Sequence, residues 1–275
     1  MKRLATILVL LICAPAWSAN YFTGDPNIMA LYNHEEDLYR TDSSGQGNDM
    51  LSIGVSSDTT NYMQGSASAD FTAADEDELY IVDSSLSDKF PFQNTNTQTL
   101  MSVAGWFRFE TTGTTQLLVG KYAALSSPAL RSWAVFVNIA ELFRFSTSTD
   151  GTTSTAQNLT VAHTLVVNQW YHFGVTYNDT NGAVALRLFD PNDSQTYTAS
   201  ATFNRPMHLC DVRFYMGASD AAASGFEYPL DGQLDEICVF NDLLTADEID
   251  EIRAGTYGDA DTGTSNWWWR RRHNN

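Results

Sequence analysis

Apolar and polar side chains alternate in short runs along most of this chain, and clusters of Asp, Asn, Gly or Thr close those runs. A period of two puts successive side chains on opposite faces of an extended backbone, so such runs predict half-buried strands. They cover residues 100–109, 116–122, 131–137, 141–146, 169–177, 184–189, 194–201, 209–217 and 232–240. The run at 131–137 alternates at its start and is apolar thereafter, as a strand covered on both faces would be. Turns are predicted at Thr111-Thr112-Gly113, at Thr149-Asp150-Gly151, at 178–182 and at Asp190-Pro191-Asn192-Asp193, and the link at 138–140 is short enough for a hairpin. This spacing predicts an all-β sandwich or barrel. One helix stands apart. Thr245-Ala246-Asp247-Glu248 is a capping box, Leu244 before it can pack on Ile249, and Gly255 fits the C-terminal stop. Ile249 and Ile252 give that helix one apolar edge to lay on the sandwich, with Glu248, Asp250 and Glu251 facing solvent.

The two ends depart from the pattern. Lys2 and Arg3 precede an apolar run at 4–14, and Ala16 and Ser18 follow as a small-x-small pair, which predicts a signal peptide over 1–18. The run is too short to span a bilayer, which takes about 20 residues. Cys13 leaves with the leader. At the other end a Gly/Asp/Thr-rich stretch leads to Trp267-Trp268-Trp269-Arg270-Arg271-Arg272. Indole rings favour the lipid–water boundary and cations favour anionic head groups, so this cluster is either an interfacial attachment point or a solvated tail. The expected organisation is a leader at 1–18, one folded domain at 20–254 and a tail at 255–275.

Charge narrows the partners. The formal charge of −18 becomes −20 when Lys2 and Arg3 leave with a leader that holds no acid. So acidic a body repels phosphate backbones, which argues against nucleic-acid binding, and it suits Ca²⁺. Cys210 and Cys238 remain after the leader, and an even count in an exported chain predicts a disulfide. If 209–217 and 232–240 are consecutive paired strands with Gly217 opposite Asp231, then Cys210 lies opposite Cys238.

An ordered series of motifs carries a family resemblance over about 28–254. It begins with Ala30-Leu31-Tyr32-Asn33-His34-Glu35-Glu36, then Thr41-Asp42-Ser43-Ser44-Gly45-Gln46-Gly47-Asn48, then Gln64-Gly65-Ser66-Ala67. Val103-Ala104-Gly105-Trp106-Phe107 and the strand Trp170-Tyr171-His172-Phe173-Gly174-Val175-Thr176-Tyr177 follow. Leu230-Asp231-Gly232-Gln233-Leu234-Asp235-Glu236-Ile237 and Leu244-Thr245-Ala246-Asp247-Glu248-Ile249 close the series. Together they resemble a laminin-G-like jellyroll of the concanavalin A-like superfamily. The resemblance implies an antiparallel two-sheet sandwich with one short C-terminal helix. Fold alone does not assign a function, because the superfamily holds lectins, adhesion modules and glycanases.

A retaining glycanase needs two carboxylates about 5–5.5 Å apart, as alternate residues of one strand provide, and no Glu-x-Asp-x-x-Glu-like strand appears. The loop from Asp42 to Asn48 offers oxygens and two glycines suited to wrapping Ca²⁺, although an Asx-turn loop closed by its own hydrogen bonds reads the same way. The resemblance adds Asp235 and Glu35 to Asp42 and Asn48 as expected ligands of a structural Ca²⁺. Stacking on sugar rings needs aromatics at a rim, and Tyr122, Phe226 and Tyr228 are the candidates, whereas Trp106, Trp133 and Trp170 sit mid-strand and are expected in the core. The expectation is a secreted, non-catalytic recognition or adhesion module for glycans. The alternatives are a surface or appendage component that assembles through its edges and tail, and a divergent glycanase or lyase.

Overall fold

The computed structural model describes residues 20, 22, 24–124, 130–221 and 225–258. The predicted leader and the Trp267–Arg272 cluster lie outside them. The strands are β1 (Ile28–Tyr32), β2 (Leu51–Ile53), β3 (Ser56–Asp58), β4 (Ser68–Phe71), β5 (Glu78–Ile81), β6 (Leu100–Phe109), β7 (Gln116–Ala123), β8 (Leu130–Val137) and β9 (Leu142–Thr147). They continue as β10 (Gln157–Thr164), β11 (Trp170–Asn178), β12 (Ala183–Asp190), β13 (Gln195–Thr202), β14 (Phe214–Met216), β15 (Ser219–Ala221), β16 (Gly225–Glu227) and β17 (Gly232–Phe240), before the single helix α1 (Ala246–Ala254). The first sheet runs β13-β12-β11-β6-β17-β4-β3 with β1 also paired to β17, and the second runs β10-β9-β8-β7-β14-β5-β2. The expected antiparallel two-sheet jellyroll sandwich is the fold observed.

Alternation decides what lies between the sheets. Val103, Phe107 and Phe109 of β6, Phe173, Val175 and Tyr177 of β11, Trp133, Val135 and Val137 of β8, and Phe143 and Phe145 of β9 meet in one apolar core. Ring contacts knit it together, among them Phe107 on Tyr171 at 5.6 Å and Phe143 on Phe173 at 5.6 Å. Each such ring pair contributes about 0.5–1.5 kcal/mol beyond its area burial. Trp133 is fully buried there, whereas Trp106 is buried on the opposite face of the first sheet and Trp170 is half-buried at the start of its strand.

That opposite face holds a second layer. Helix α1 forms with the predicted cap: the Glu248 amide donates to Thr245 Oγ1 at 3.2 Å and the Thr245 amide to Glu248 Oε2 at 2.7 Å. Gly255 ends it at φ 71°. Ile249 and Ile252 pack with Ala104, Cys238 and Phe240. The helix sits close enough that a Cβ on Gly174 would fall 2.7 Å from Ile249 Cγ2, so β11 needs a glycine there.

Two expectations fail. The run at 209–217 yields a strand only at Phe214–Met216, and that strand pairs with β5 and β7 in the second sheet. The run at 232–240 forms a strand as predicted, but it lies in the first sheet, paired with β6, β4 and β1. The hairpin that joins them survives only as β15 and β16, with Ser219 opposite Glu227. Beyond it the two strands enter different sheets. Cys210 and Cys238 are therefore free, buried and in separate apolar clusters, and the disulfide is not formed. Cys238 lies opposite Ala104 instead and donates to its carbonyl at 3.4 Å. Strand β10 and strands β1 to β5 lay outside the predicted runs.

One charged pair is sealed inside. Lys121 of β7 is fully buried and ion-pairs with Asp83, which also accepts the Asn94 amide, while Nζ donates to the Val212 carbonyl at 2.9 Å. Removing one partner of a buried pair strands the other charge. Lys121→Met should cost about 3–5 kcal/mol in chemical denaturation, and adding Asp83→Asn should recover most of it.

Candidate functional site

The backbone of β17 departs from regular pairing at one place. Asp235 lies opposite Trp106 and Cys238 opposite Ala104, so Glu236 and Ile237 share the single partner Gly105. This is a β-bulge, with Glu236 at φ 52°, a conformation that L side chains adopt at a cost. A Cβ at Gly105 would lie 2.5 Å from Ile237 Cδ1 and 3.1 Å from the Glu236 carbonyl, so glycine makes room for the bulge. The consequence is a change of face. Leu234 and Ile237 both enter the core, and the residues between them, Asp235 and Glu236, both turn away from it. The same point is where the outer neighbour of β17 changes from β4, paired at Gly232–Leu234, to β1, paired at Ile237–Phe240.

The loop before β4 closes over these acids. Asp235 Oδ2 accepts the amides of Met63 at 2.7 Å and Gln64 at 3.0 Å, and Glu35 Oε2 accepts the Ser66 amide at 2.8 Å. Asp235 Oδ1 is buried without a hydrogen-bond partner. Burial, with the neighbouring Glu236, pushes the Asp235 carboxyl well above the usual range, and burial with Glu35 pushes Glu236 up to about 8. The structure thus divides the four residues expected to hold Ca²⁺. Glu35 and Asp235 come together, joined by Glu236. Asp42 and Asn48 form a separate knot. Asp42 Oδ1 accepts from Leu31 at 3.0 Å and Ser44 at 2.9 Å, and its Oδ2 from Asn48 at 2.9 Å. The Asn48 side chain donates to the Met29 carbonyl at 2.6 Å and accepts the Ser87 amide at 2.8 Å. Among the described residues, no three His, Cys, Asp or Glu side chains converge as a metal site.

Further along the same outer face lie Trp106, His172, Arg187 and the helix residues Asp250 and Arg253. The Trp106 and His172 rings meet edge-on at 5.0 Å, Arg187 pairs with Asp250 at 2.6 Å, and the Arg253 guanidinium lies 3.9 Å above the Phe189 ring. Beside them a depression of about 330 Å³ is lined by Thr176, Ala185, Arg187, Thr198, Ser200 and Ile249 among others, with no aromatic ring on which a sugar could stack.

The outer face of the second sheet is different in kind. Trp133, Val135 and Val137 point into the core, so Phe136 between them points out, and so does Arg144 between Phe143 and Phe145. Phe136 and Arg144 are direct cross-strand partners, and the guanidinium lies 4.8 Å above the phenyl ring. Tyr122 of β7 and Tyr228, just after β16, each meet Phe136 edge-on at 5.4 Å and approach one another at 6.5 Å. Arg131 lies 5.8 Å from the Tyr122 ring, and Arg213 4.4 Å above Tyr80 on the neighbouring strand. Burial lowers the Arg144 pKa and raises those of Tyr122 and Tyr228. Two of the three aromatics expected at a rim, Tyr122 and Tyr228, are in one cluster, but Tyr122 is buried in it and Tyr228 is half-buried. Phe226 lies on β16, half-buried and outside these ring contacts. Phe136 and Arg144 were not singled out in the sequence. The alternation of Phe143, Arg144 and Phe145 already turned Arg144 outward, but only the register revealed its partner.

His172 offers a test of the outer layer on the first sheet. Burial, reinforced by Arg253 and Arg187, pushes its pKa well below 6.5. The unfolded chain takes up a proton near that value and the folded chain does not, so stability is lost as pH falls below it. Between about pH 7 and 5 the wild type should lose stability more steeply than His172→Gln, by up to about 1.4 kcal/mol per pH unit, in denaturant titrations at each pH.

A family profile described as the concanavalin A-like lectin/glucanases superfamily, laminin G type, matches residues 83–250. The motifs at 30–48 and 64–67 precede that match. No curated protein matches the chain. Solved structures similar to it include the CBM40 of the Ruminococcus gnavus IT-sialidase bound to α2,3-sialyllactose, at 13% identity and a TM-score of 0.45 over 58% of this chain and 84% of that one. A heptameric SAP-like pentraxin from Limulus polyphemus gives 14% and 0.42 over 56% and 70%. A carbohydrate binding protein from Bacteroides ovatus, so described provisionally, gives 16% and 0.42 over 64% and 44%.

Proposed function

We propose that this chain, which belongs to the concanavalin A-like lectin/glucanases superfamily, is an exported, non-catalytic carbohydrate-binding module whose binding face is the outer surface of the second sheet. The observation that carries the reading is the half-buried pair Tyr228 and Arg144, held at the surface of a cluster whose inner members, Phe136 and Tyr122, are buried beneath them. Rings of this kind stack on the apolar faces of sugars, and a guanidinium donates to their oxygens. Binding is favoured over hydrolysis because the adjacent acids Asp235 and Glu236 are 0% and 7% exposed beneath the loop before β4, where no polymer has room to reach them. Export rests on the charged, apolar and small-residue segments of 1–18. No helix among the described residues is long and apolar enough to cross a membrane.

A structural Ca²⁺ belongs to the same proposal, at a different place from the Asp42 loop. Asp235 and Glu35 would hold it. The unpartnered Asp235 Oδ1 supports this, as does the crowding of like charges with Glu236. A cation there would let these acids ionise and would tie β1 and the loop before β4 to β17.

A screen of neutral and acidic oligosaccharides tests the main reading. Protein recovered from the medium should begin at Ala19 and bind at least one glycan class, and Tyr228→Ala should weaken that binding about tenfold. Silence across the whole panel would refute it, and a cell-retained chain beginning at Met1 would remove export. For the cation, a chelator should lower the melting temperature of the wild type and leave Asp235→Asn unmoved. An unchanged wild-type midpoint sinks the site.

A further inference from the structure

We infer that Arg144 is the recognition point for the carboxylate of an acidic sugar at the end of a glycan, an inference that rests on the carbohydrate-binding reading above. The guanidinium is half-buried against Phe136, Tyr122 and Tyr228, and its Nε is buried with no hydrogen-bond partner. Among the described residues it makes no ion pair. The undescribed internal segments, 125–129 and 222–224, contain no Asp or Glu. Glu227, the acid nearest the two tyrosines, is buried and accepts the Ala124 amide at 2.6 Å. The other arginines on this face are differently placed: Arg131 donates to the carbonyls of Ala124 at 2.8 Å and Gly151 at 3.3 Å, and so braces the loop around it.

A partly desolvated cation without an anion marks a place where a ligand can supply the counter-charge. A carboxylate matches the planar guanidinium fork, and the half-buried Tyr228 ring of the same cluster offers an apolar edge to a pyranose ring, whereas Phe136 and Tyr122 are buried and serve as its support. The formal charge of −18 repels long polyanions but is screened beyond about 8 Å in physiological salt, so it opposes a charged polymer far more than a single acidic residue met at contact. The ligand class is therefore a short or terminal acidic saccharide.

The experiment uses the full mature chain and matched probes: a glucuronate-terminated oligosaccharide, its carboxyl-reduced glucose-terminated counterpart, and the same oligosaccharide sulfated instead of carboxylated. Calorimetric titration should show the carboxylate probe binding at least tenfold tighter than the reduced one. Arg144→Gln should bring the two within about twofold, and Arg144→Lys should keep part of the difference, with near-ultraviolet dichroism showing both variants folded. Equal wild-type affinity for the carboxylate and reduced probes overturns the inference and leaves carbohydrate binding standing. Tighter binding of the sulfated probe overturns the carboxylate assignment. No binding of any probe here or in the wider screen overturns both readings together.

Discussion

The architecture turns on the bulge at Glu236 and Ile237, where two residues of β17 oppose the single Gly105. A regular strand would have sent Glu236 into the apolar core, where an unpaired carboxylate costs several kcal/mol. The extra residue turns it outward with Asp235 and returns Ile237 to the core, so the sandwich interior stays apolar along the whole central strand. The same distortion marks the place where β4 gives way to β1 as the neighbour of β17, and the amides of 63–66 cap the acids left in that gap.

Burial of charge recurs wherever a second layer covers a sheet. Lys121 and Asp83 neutralise each other. His172 stays neutral between Trp106 and the arginines near helix α1. Asp42 accepts three amides, which makes the 42–49 loop a folded knot that anchors β1. These groups are held by the fold, and their energetics concern stability. Arg144 differs from them because nothing in the described chain completes its coordination.

The two outer faces of the sandwich are therefore unlike. One is roofed by α1 and the N-terminal segment, and its polar groups hold that roof in place. The other carries a smaller apolar cluster that buries Phe136 and Tyr122 and leaves Arg144 and Tyr228 half-exposed at its surface. Rigid strands position a binding surface more accurately than loops do, because their side chains inherit the register of the sheet.

Much of this was legible in the residues alone. Alternation located most strands of the second half of the chain, and the Thr245–Glu248 box with Gly255 defined the helix, because both depend on local periodicity and capping. The ordered motifs pointed to the family. Alternation also turned Arg144 outward. Pairing was beyond reach. Nothing local tells a strand which sheet it joins, so Cys210 and Cys238 were matched across a hairpin whose strands in fact part company. Nor does local sequence show a bulge, which depends on a glycine about 130 positions away along the chain. The sequence by itself determined the class of fold and the types of residue available. Tertiary structure decided which of them meet, because contacts between distant strands are settled only when both faces of every sheet must be covered at once.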